Sequence, residues 1–184
     1  MTDHNNTEFK TLIMPHLTAA YNYAYWLTSN AQNAEDLTQE AFTRALAAFG
    51  RFRKQHPKAW LMTIVRNAFY NQQQQLKRRG EVVYLDNFHE DDCHSDELMS
   101  SQTPEQQVSR NLDVELVRTC INYLSREHRE VIMLREIEGF SYEEMSKILE
   151  CPLGTVMSRL SRARNRLKKL IQKQGYRQED QHEM

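Results

Sequence analysis

Two stretches of the 184-residue chain carry many arginine and lysine side chains and no carboxylate that could neutralise them. Residues 50–80 contain eight basic residues, and residues 151–178 contain another eight. Groups of this kind bind the phosphates of nucleic acids, because neutralising the phosphates releases condensed counterions. The formal net charge is only -1, because 25 acidic residues balance 24 basic ones. The separation of charge, rather than its sum, therefore predicts a polyanion as partner.

The second basic stretch belongs to a pattern that predicts a helix-turn-helix. Ser141 and Glu144 have the spacing of a capping box, which starts a short helix. Pro152 ends that helix, and Thr155 is expected to open a long second one. The second helix of such a pair can enter a DNA major groove about 12 Å wide, and Arg and Ser side chains suit contacts with base edges. The alternative is a basic helix that covers a core with its solvated side and binds no nucleic acid.

Three apolar stripes at three- and four-residue spacing predict three helices in the N-terminal part of the chain. The stripes are Leu17, Ala20, Tyr21, Ala24 and Leu27, then Ala34, Leu37, Thr38, Ala41, Phe42, Ala45, Leu46 and Phe49, and then Trp60, Leu61, Ile64, Val65, Ala68 and Phe69. Pro57 suits the first turn of the third helix. The helical phase assigns Phe42, Trp60 and Phe69 to the core, so we give them no binding role.

The composition favours an all-α fold, because the chain has only five glycines and four prolines and no alternating runs of β-branched residues. An acidic segment, Glu81 to Pro104, holds seven carboxylates and no Lys or Arg. We therefore expect two small helical domains joined by a flexible acidic linker. The expected boundaries are 1–80 for the first domain, 81–104 for the linker, 105–175 for the helix-turn-helix domain and 176–184 for a tail.

Neither a membrane span nor a secretory signal is expected. The longest segment without charged side chains, residues 11–34, contains too many polar residues to cross a bilayer, and residues 1–8 lack a basic n-region. The three cysteines lack paired spacing, which argues against a disulfide scaffold. We expect a cytoplasmic protein that is not an integral membrane protein.

Four segments resemble bacterial RNA polymerase sigma factors of the extracytoplasmic-function (ECF) group. NAEDLTQEAF at 33–42 resembles part of the family's second conserved region, and KAWLMTIVRN at 58–67 resembles the start of its promoter-melting region. REVIMLREIEGFSYEE at 129–144 and PLGTVMSRL at 152–160 resemble its fourth region. The resemblance covers nearly the whole chain. It implies a regulatory subunit that is not an enzyme and needs no cofactor.

The resemblance also implies partners and roles for individual residues. Asp36, Gln39 and Glu40 would dock the clamp of the largest subunit of core RNA polymerase, although a solvated helix face is the alternative for them. The flap of the second-largest subunit, promoter DNA and an anti-sigma factor would be further partners. The minus-10 element would be melted and held by Arg53, Lys54, Lys58, Arg66, Asn67, Asn71, Lys77, Arg78 and Arg79. The minus-35 element would be bound by Thr155, Ser158, Arg159, Arg162, Arg164 and Arg166.

Two other classes of function would also account for parts of the sequence. A stand-alone helix-turn-helix regulator with an N-terminal sensing domain would bind DNA without polymerase, but it leaves the basic, amide-rich face of the first domain unexplained. A metal-dependent enzyme could use His89, Cys93 and His94, but their place in the acidic linker makes coincidence the better explanation.

Overall fold

The computed structural model describes residues 3–80 and 116–182, and within these ranges it contains helices and no strand. The N-terminal module consists of α1 (Asp3–Leu12), α2 (Leu17–Thr28), α3 (Ala31–Ala48) and α4 (Pro57–Arg78), with 3₁₀ turns at Met14–His16 and Phe49–Arg51. The C-terminal module consists of α5 (described from 116 to 122), α6 (Arg126–Ile132) with a π-helical turn at Met133–Ile137, α7 (Tyr142–Leu149) and α8 (Leu153–His182). The all-α expectation is confirmed. The predicted acidic linker lies outside the described residues.

None of the helices in these two ranges has the length and apolar character needed to cross a bilayer.

The helices of the N-terminal module begin where local chemistry favours a start. The Asn30 side chain accepts a hydrogen bond from the backbone N–H of Asn33 and so caps α3. Pro57 occupies the first turn of α4, as its missing N–H predicts. Helix α1 was not predicted, because its ten residues are mostly polar. It nevertheless adds the buried side chain of Phe9 to the core.

The core differs from the predicted stripes at a few positions. On α2, Leu17 is 41% exposed, whereas Tyr23 is completely buried. A tyrosine can take a core position when its hydroxyl finds a hydrogen-bond partner, and Tyr23 has one. On α4, Met62 is buried and Trp60 lies partly exposed at the edge of the core. The stripe on α3 is confirmed, with its alanines, Leu37 and Thr38 buried.

The helix-turn-helix forms with the predicted capping box. Ser141 Oγ accepts the backbone N–H of Glu144, and the Glu144 carboxylate accepts the backbone N–H of Ser141 at 2.9 Å. The second helix starts at Leu153, so the prediction that Thr155 opens it is wrong by two residues. The reason is that the Pro152 carbonyl accepts the N–H of Thr155, at 2.9 Å, which brings the preceding residues into the first turn.

The two modules pack against each other. Helix α2 contacts α6, and α4 contacts α7. One continuous cluster of buried apolar side chains includes residues of both modules, among them Leu61 and Val65 from the first and Leu134 and Met145 from the second. The C-terminal module therefore lies across the side of α4 that the sequence assigned to DNA.

Candidate nucleic-acid and polymerase interface

The outward face of α8 carries Ser158 and Arg162, both exposed. Arg162 lies along the helix, with its Nε–H donating to the Ser158 carbonyl oxygen at 3.3 Å. Val156, Leu160 and Ala163 are buried on the opposite side. The helix is thus held on its module by an apolar seam, and its polar side is presented to solvent in the way that major-groove recognition requires.

The other cations proposed for the minus-35 element are placed differently. Arg159 has only 24% of its side chain exposed and pairs with Glu127 at 3.3 Å. Arg164 pairs with Glu136 at 2.6 Å, and the hydrogen bond to that carboxylate raises the pKa of the guanidinium. Thr155 and Arg166 are half-buried. The structure therefore brings Ser158 and Arg162 together on the free face and directs Arg159 and Arg164 to carboxylates of their own module.

Three further exposed residues of α8 were not among the contacts proposed from the sequence. Ser161 and Asn165 continue the face of Ser158 and Arg162 at helical spacing, and Met157 is 49% exposed near the start of the helix. The spacing of three and four residues from Ser158 was a signal that could have identified Ser161 and Asn165. Met157 offers an apolar group of the kind that contacts a thymine methyl.

On α4, three of the residues proposed for the minus-10 element contact the C-terminal module. Lys58 Nζ pairs with Glu138 at 2.8 Å and lies 5.1 Å from the centre of the Phe140 ring. The Asn67 side-chain amide donates to Glu150 Oε1 at 3.2 Å. Arg66 binds Glu130, and its guanidinium also stacks on the Tyr70 ring at 4.6 Å. These side chains, with Tyr70, form what we call the covered face of α4.

Glu130 is the most buried part of this contact. Its carboxylate is 2% exposed and accepts hydrogen bonds from Tyr23 at 3.1 Å and Tyr70 at 3.2 Å, with Arg66 Nε at 3.3 Å. Burial raises the pKa of Glu130, and the Arg66 charge opposes that rise. Burial likewise raises the pKa of Tyr23 and of Tyr70, and the neighbouring carboxylate adds to both shifts. Both phenols therefore remain protonated donors.

The remaining minus-10 candidates are more accessible. Arg53, Asn71, Lys77, Arg78 and Arg79 are exposed, whereas Lys54 forms an ion pair with Glu8 of α1.

The loop before α4 is anchored by the Phe52 ring, which stacks on Trp60 with ring centres 4.3 Å apart. Lys54 and His56 in this loop adopt positive φ angles of 60° and 50°. Such angles cost non-glycine residues energy and are found where the surrounding structure holds the backbone. The loop thus leads the chain from the exposed Arg53 into the first turn of α4.

The three residues proposed for core polymerase lie on the outer side of α3. Asp36 and Gln39 are exposed. Glu40 is only partly exposed, because its carboxylate accepts hydrogen bonds from Arg44 on the same helix and from Gln72 on α4. Asp36 and Gln39 are therefore available to a partner protein, whereas Glu40 also connects two helices of the module.

The residues proposed for a metal site in the enzyme alternative, His89, Cys93 and His94, lie outside the described residues. Among residues 3–80 and 116–182, no group of three or more His, Cys, Asp or Glu side chains could hold a metal ion.

Comparison with known proteins places both modules in one family. Residues 12–79 match the family model for sigma-70 region 2, and residues 115–167 match that for sigma-70 region 4. The ECF RNA polymerase sigma factor EcfG of Rhodopseudomonas palustris is 36% identical over 83% of this chain and 79% of its own length. The RNA polymerase sigma factor YlaC of Bacillus subtilis is 35% identical over 83% of this chain and 85% of its own length.

A solved structure shows the same architecture. The sigma factor RpoE from Bartonella quintana, in complex with the anti-sigma factor NepR, superposes with a TM-score of 0.68 and 36% sequence identity. The match covers 90% of this chain and 97% of that one. The helices of the two modules thus have the same arrangement as those of a solved sigma factor. The chain belongs to the ECF group of RNA polymerase sigma factors.

Proposed function

We propose that this chain binds core RNA polymerase and directs it to promoters whose minus-10 element is held by α4 and whose minus-35 element is bound by α8. Sigma factors are regulatory subunits, so the chemistry of RNA synthesis belongs to the polymerase. The observation that carries the proposal is the outward face of α8. Ser158 and Arg162 are exposed there on the second helix of a capped helix-turn-helix, in a chain that matches sigma regions 2 and 4.

Each surface has a separate part in this function. Asp36 and Gln39 on α3 contact the polymerase clamp, with Glu40 positioning α3 against α4. Arg53, Asn71 and the three basic residues at the end of α4 meet the melted strand, and flipping out a base costs a few kcal/mol that pocket and phosphate contacts must offset. Lys58, Arg66 and Asn67 join them once the C-terminal module no longer covers α4. Lys54, which pairs with Glu8, is the weakest member of the set.

Control of the chain by an anti-sigma factor is part of the proposal. The RpoE structure that superposes on this chain is a complex with the anti-sigma factor NepR. We propose that a protein of this class holds the present chain inactive in the bacterial cytoplasm until a stress signal releases it. The polymerase flap is the proposed contact of the C-terminal module in the active complex.

The stand-alone regulator is not favoured. Its N-terminal half would be a sensing domain, whereas residues 12–79 match sigma region 2. A stand-alone regulator also gives no reason for the basic residues on α4.

Reconstituted run-off transcription tests the proposed function. Core polymerase, the full chain and fragmented DNA from the source genome are combined, and transcripts are mapped to their start sites. Specific start sites that appear only when both proteins are present are the expected result. Matched reactions omit either protein, and a mobility-shift assay with the chain alone checks for the regulator. Sequence-specific duplex binding by the chain alone, with no new transcripts from the mixture, would contradict the proposal.

A further inference from the structure

Helix α1 lies before the part of the chain that matches a family model. It ends at Leu12, and the match to sigma-70 region 2 covers residues 12–79. The family match therefore assigns no role to α1. In the structure α1 contacts the 3₁₀ turn at Phe49–Arg51, which leads directly into the loop that carries Arg53. The position of α1 next to a proposed DNA contact indicates a part in holding the minus-10 strand.

A chain of aromatic rings connects α1 to this loop. Phe9 is buried, and its ring meets that of Phe49 edge-on with ring centres 5.2 Å apart. The Phe49 ring lies 6.0 Å from that of Phe52 at the start of the loop, and Phe52 stacks on Trp60 of α4 at 4.3 Å. Ring pairs at such separations stabilise packing beyond the area that they bury. Helix α1, the start of the loop and α4 are therefore joined by one aromatic cluster.

An ion pair connects α1 to the loop at a second point. The Glu8 carboxylate binds Lys54 Nζ, and only 26% of the Glu8 side chain is exposed. Arg53 thus lies between two attached neighbours, Phe52 on the aromatic cluster and Lys54 on α1. Its own side chain is exposed. Lys54 is directed to α1 by its pair, whereas Arg53 remains accessible to a DNA strand, so the two neighbouring cations have different roles.

The backbone of the loop needs attachments of this kind. Lys54 and His56 have φ angles of 60° and 50°, a region that residues other than glycine avoid and that persists only where surrounding contacts hold it. His56 Nδ1 lies 3.1 Å from Glu144 of the C-terminal module. The pair of Lys54 with Glu8 lies within the N-terminal module, so it holds the loop whether or not the C-terminal module is near.

We propose that α1 is a positioning element for the minus-10 strand. Glu8 and Phe9 hold residues 52–56 in the conformation that presents Arg53, and Lys54 attaches the loop to α1 instead of binding DNA. This inference rests on the proposed function of the loop and α4 in holding the melted strand. It deepens that function, because it names positioning residues that precede the matched family region and touch no DNA themselves.

The main test exchanges the charges of the ion pair in the full-length chain. The variants are Glu8→Lys, Lys54→Glu and the double variant Glu8→Lys/Lys54→Glu. Each is combined with core polymerase and a promoter fragment identified by run-off transcription. Permanganate reactivity of unpaired thymines measures the opening of the minus-10 region. A DNase I footprint over the minus-35 element measures duplex binding on the same fragment, and the melting temperature of each free chain measures folding.

Each single variant is expected to lower the opened fraction by about 2- to 5-fold at full minus-35 occupancy, as follows from the free energy of an exposed ion pair. The melting temperature should stay nearly unchanged. The double variant restores opening, because the pair re-forms with its charges exchanged. Continued loss in the double variant would overturn the proposal, since Lys54 would then act on DNA directly. Wild-type opening in Glu8→Lys would also overturn it, as would an equal fall in the minus-35 footprint, which would mark a purely structural role.

A second pair of variants introduces no opposite charge. Glu8→Gln removes the carboxylate charge from α1, and the control Lys10→Gln removes one charge from an exposed position on the same helix. Reduced opening is expected for Glu8→Gln only, and equal opening in both variants contradicts the proposal. Run-off transcription with the wild-type chain separates the two claims. Absence of specific transcripts would contradict the proposed function and this inference with it, whereas specific transcripts together with wild-type opening in Glu8→Lys and Glu8→Gln would contradict the positioning role alone.

Discussion

At the scale of single residues, the two arginines that sequence reasoning treated alike on α8 have different surroundings. Arg162 is exposed on the outward face, whereas Arg159 is mostly covered and pairs with Glu127. A side chain held by its own module must give up that pair before it contacts a base. Arg162 is therefore the better candidate for base readout.

We predict that Arg162→Ala lowers run-off transcription from a promoter of this factor by roughly 5- to 150-fold, which corresponds to about 1–3 kcal/mol for one base contact. Arg159→Ala should have a smaller effect, because Arg159 is mostly covered and pairs with Glu127 of its own module. Lys169→Ala, about two turns beyond Arg162 on α8, serves as the control and should act weakly. The idea of selective readout is wrong if all three variants are equally impaired.

The three polar residues of α3 that were proposed for core polymerase also differ in their surroundings. We predict that Asp36→Arg with Gln39→Ala weakens binding to core polymerase, measured by surface plasmon resonance, without changing the melting temperature. Glu40→Ala should instead lower the melting temperature by roughly 2–4 °C, as expected for about 1 kcal/mol in a protein of this size. Its carboxylate joins Arg44 to Gln72 on the next helix. Polymerase binding that survives the double change would exclude this face as the docking site.

At the scale of the elements, the capping box gives α7 a stability that depends on pH. The pKa of Glu144 is lowered, chiefly because its carboxylate accepts the backbone N–H of Ser141. A carboxylate with a lowered pKa stabilises the fold at pH values above its unfolded pKa, near 4.5, and that stabilisation is lost as pH falls through the lowered value.

We therefore predict that Glu144→Gln, which keeps an amide oxygen to accept the Ser141 N–H but loses the negative charge in the first turn of α7, is less stable than wild type at pH 6 to 7 by roughly 0.3–1 kcal/mol, and that the difference shrinks below pH 4.5. Urea unfolding followed at a series of pH values measures it. Glu143→Gln, at the exposed neighbouring position, is the control and should follow wild type throughout. A difference that stays constant down to pH 3 would show that the charge of Glu144 does not contribute.

The elements that could be predicted from the sequence are those that depend on interactions between neighbouring residues. The capping box, Pro57 in the first turn of α4 and the stripe on α3 depend on residues three or four positions apart, so they could be predicted correctly. Helix α1 could not, because it is held by the docking of Phe9 on Phe49 rather than by its own pattern. Tyr23 was missed for the same reason, since its buried hydroxyl is bound by a carboxylate 107 positions away.

At the scale of the whole molecule, the sequence predicted two separate DNA-binding surfaces on two modules, whereas in the structure the C-terminal module packs on α4, which carries one of those surfaces. No periodicity relates Lys58 to Glu138 or Asn67 to Glu150, because these pairs form only after each module has folded. The acidic segment that the sequence predicts as a linker, residues 81–104, lies outside the described residues. The carboxylates that cover α4 belong instead to the helix-turn-helix module itself.

The shared interface predicts cooperative unfolding. We expect the wild-type chain to unfold in urea in a single transition, with tryptophan fluorescence, which reports only the N-terminal module, coinciding with circular dichroism. Glu130→Arg places a buried cation against Arg66, so the modules should separate and the two signals should give different midpoints. The denaturant dependence of each step should also fall, since each then exposes less surface. Two separate transitions in the wild type would show that the modules do not support each other.

Glu150 ends α7 in a left-handed conformation, with φ of 52°. Glycine would adopt that conformation without the cost of about 1 kcal/mol that a side chain incurs there. Glu150→Gly would thus relieve the turn while removing the acceptor of Asn67. At this position a substitution that stabilises the turn therefore weakens the contact between the two modules, so selection for thermal stability of α7 alone would loosen their packing.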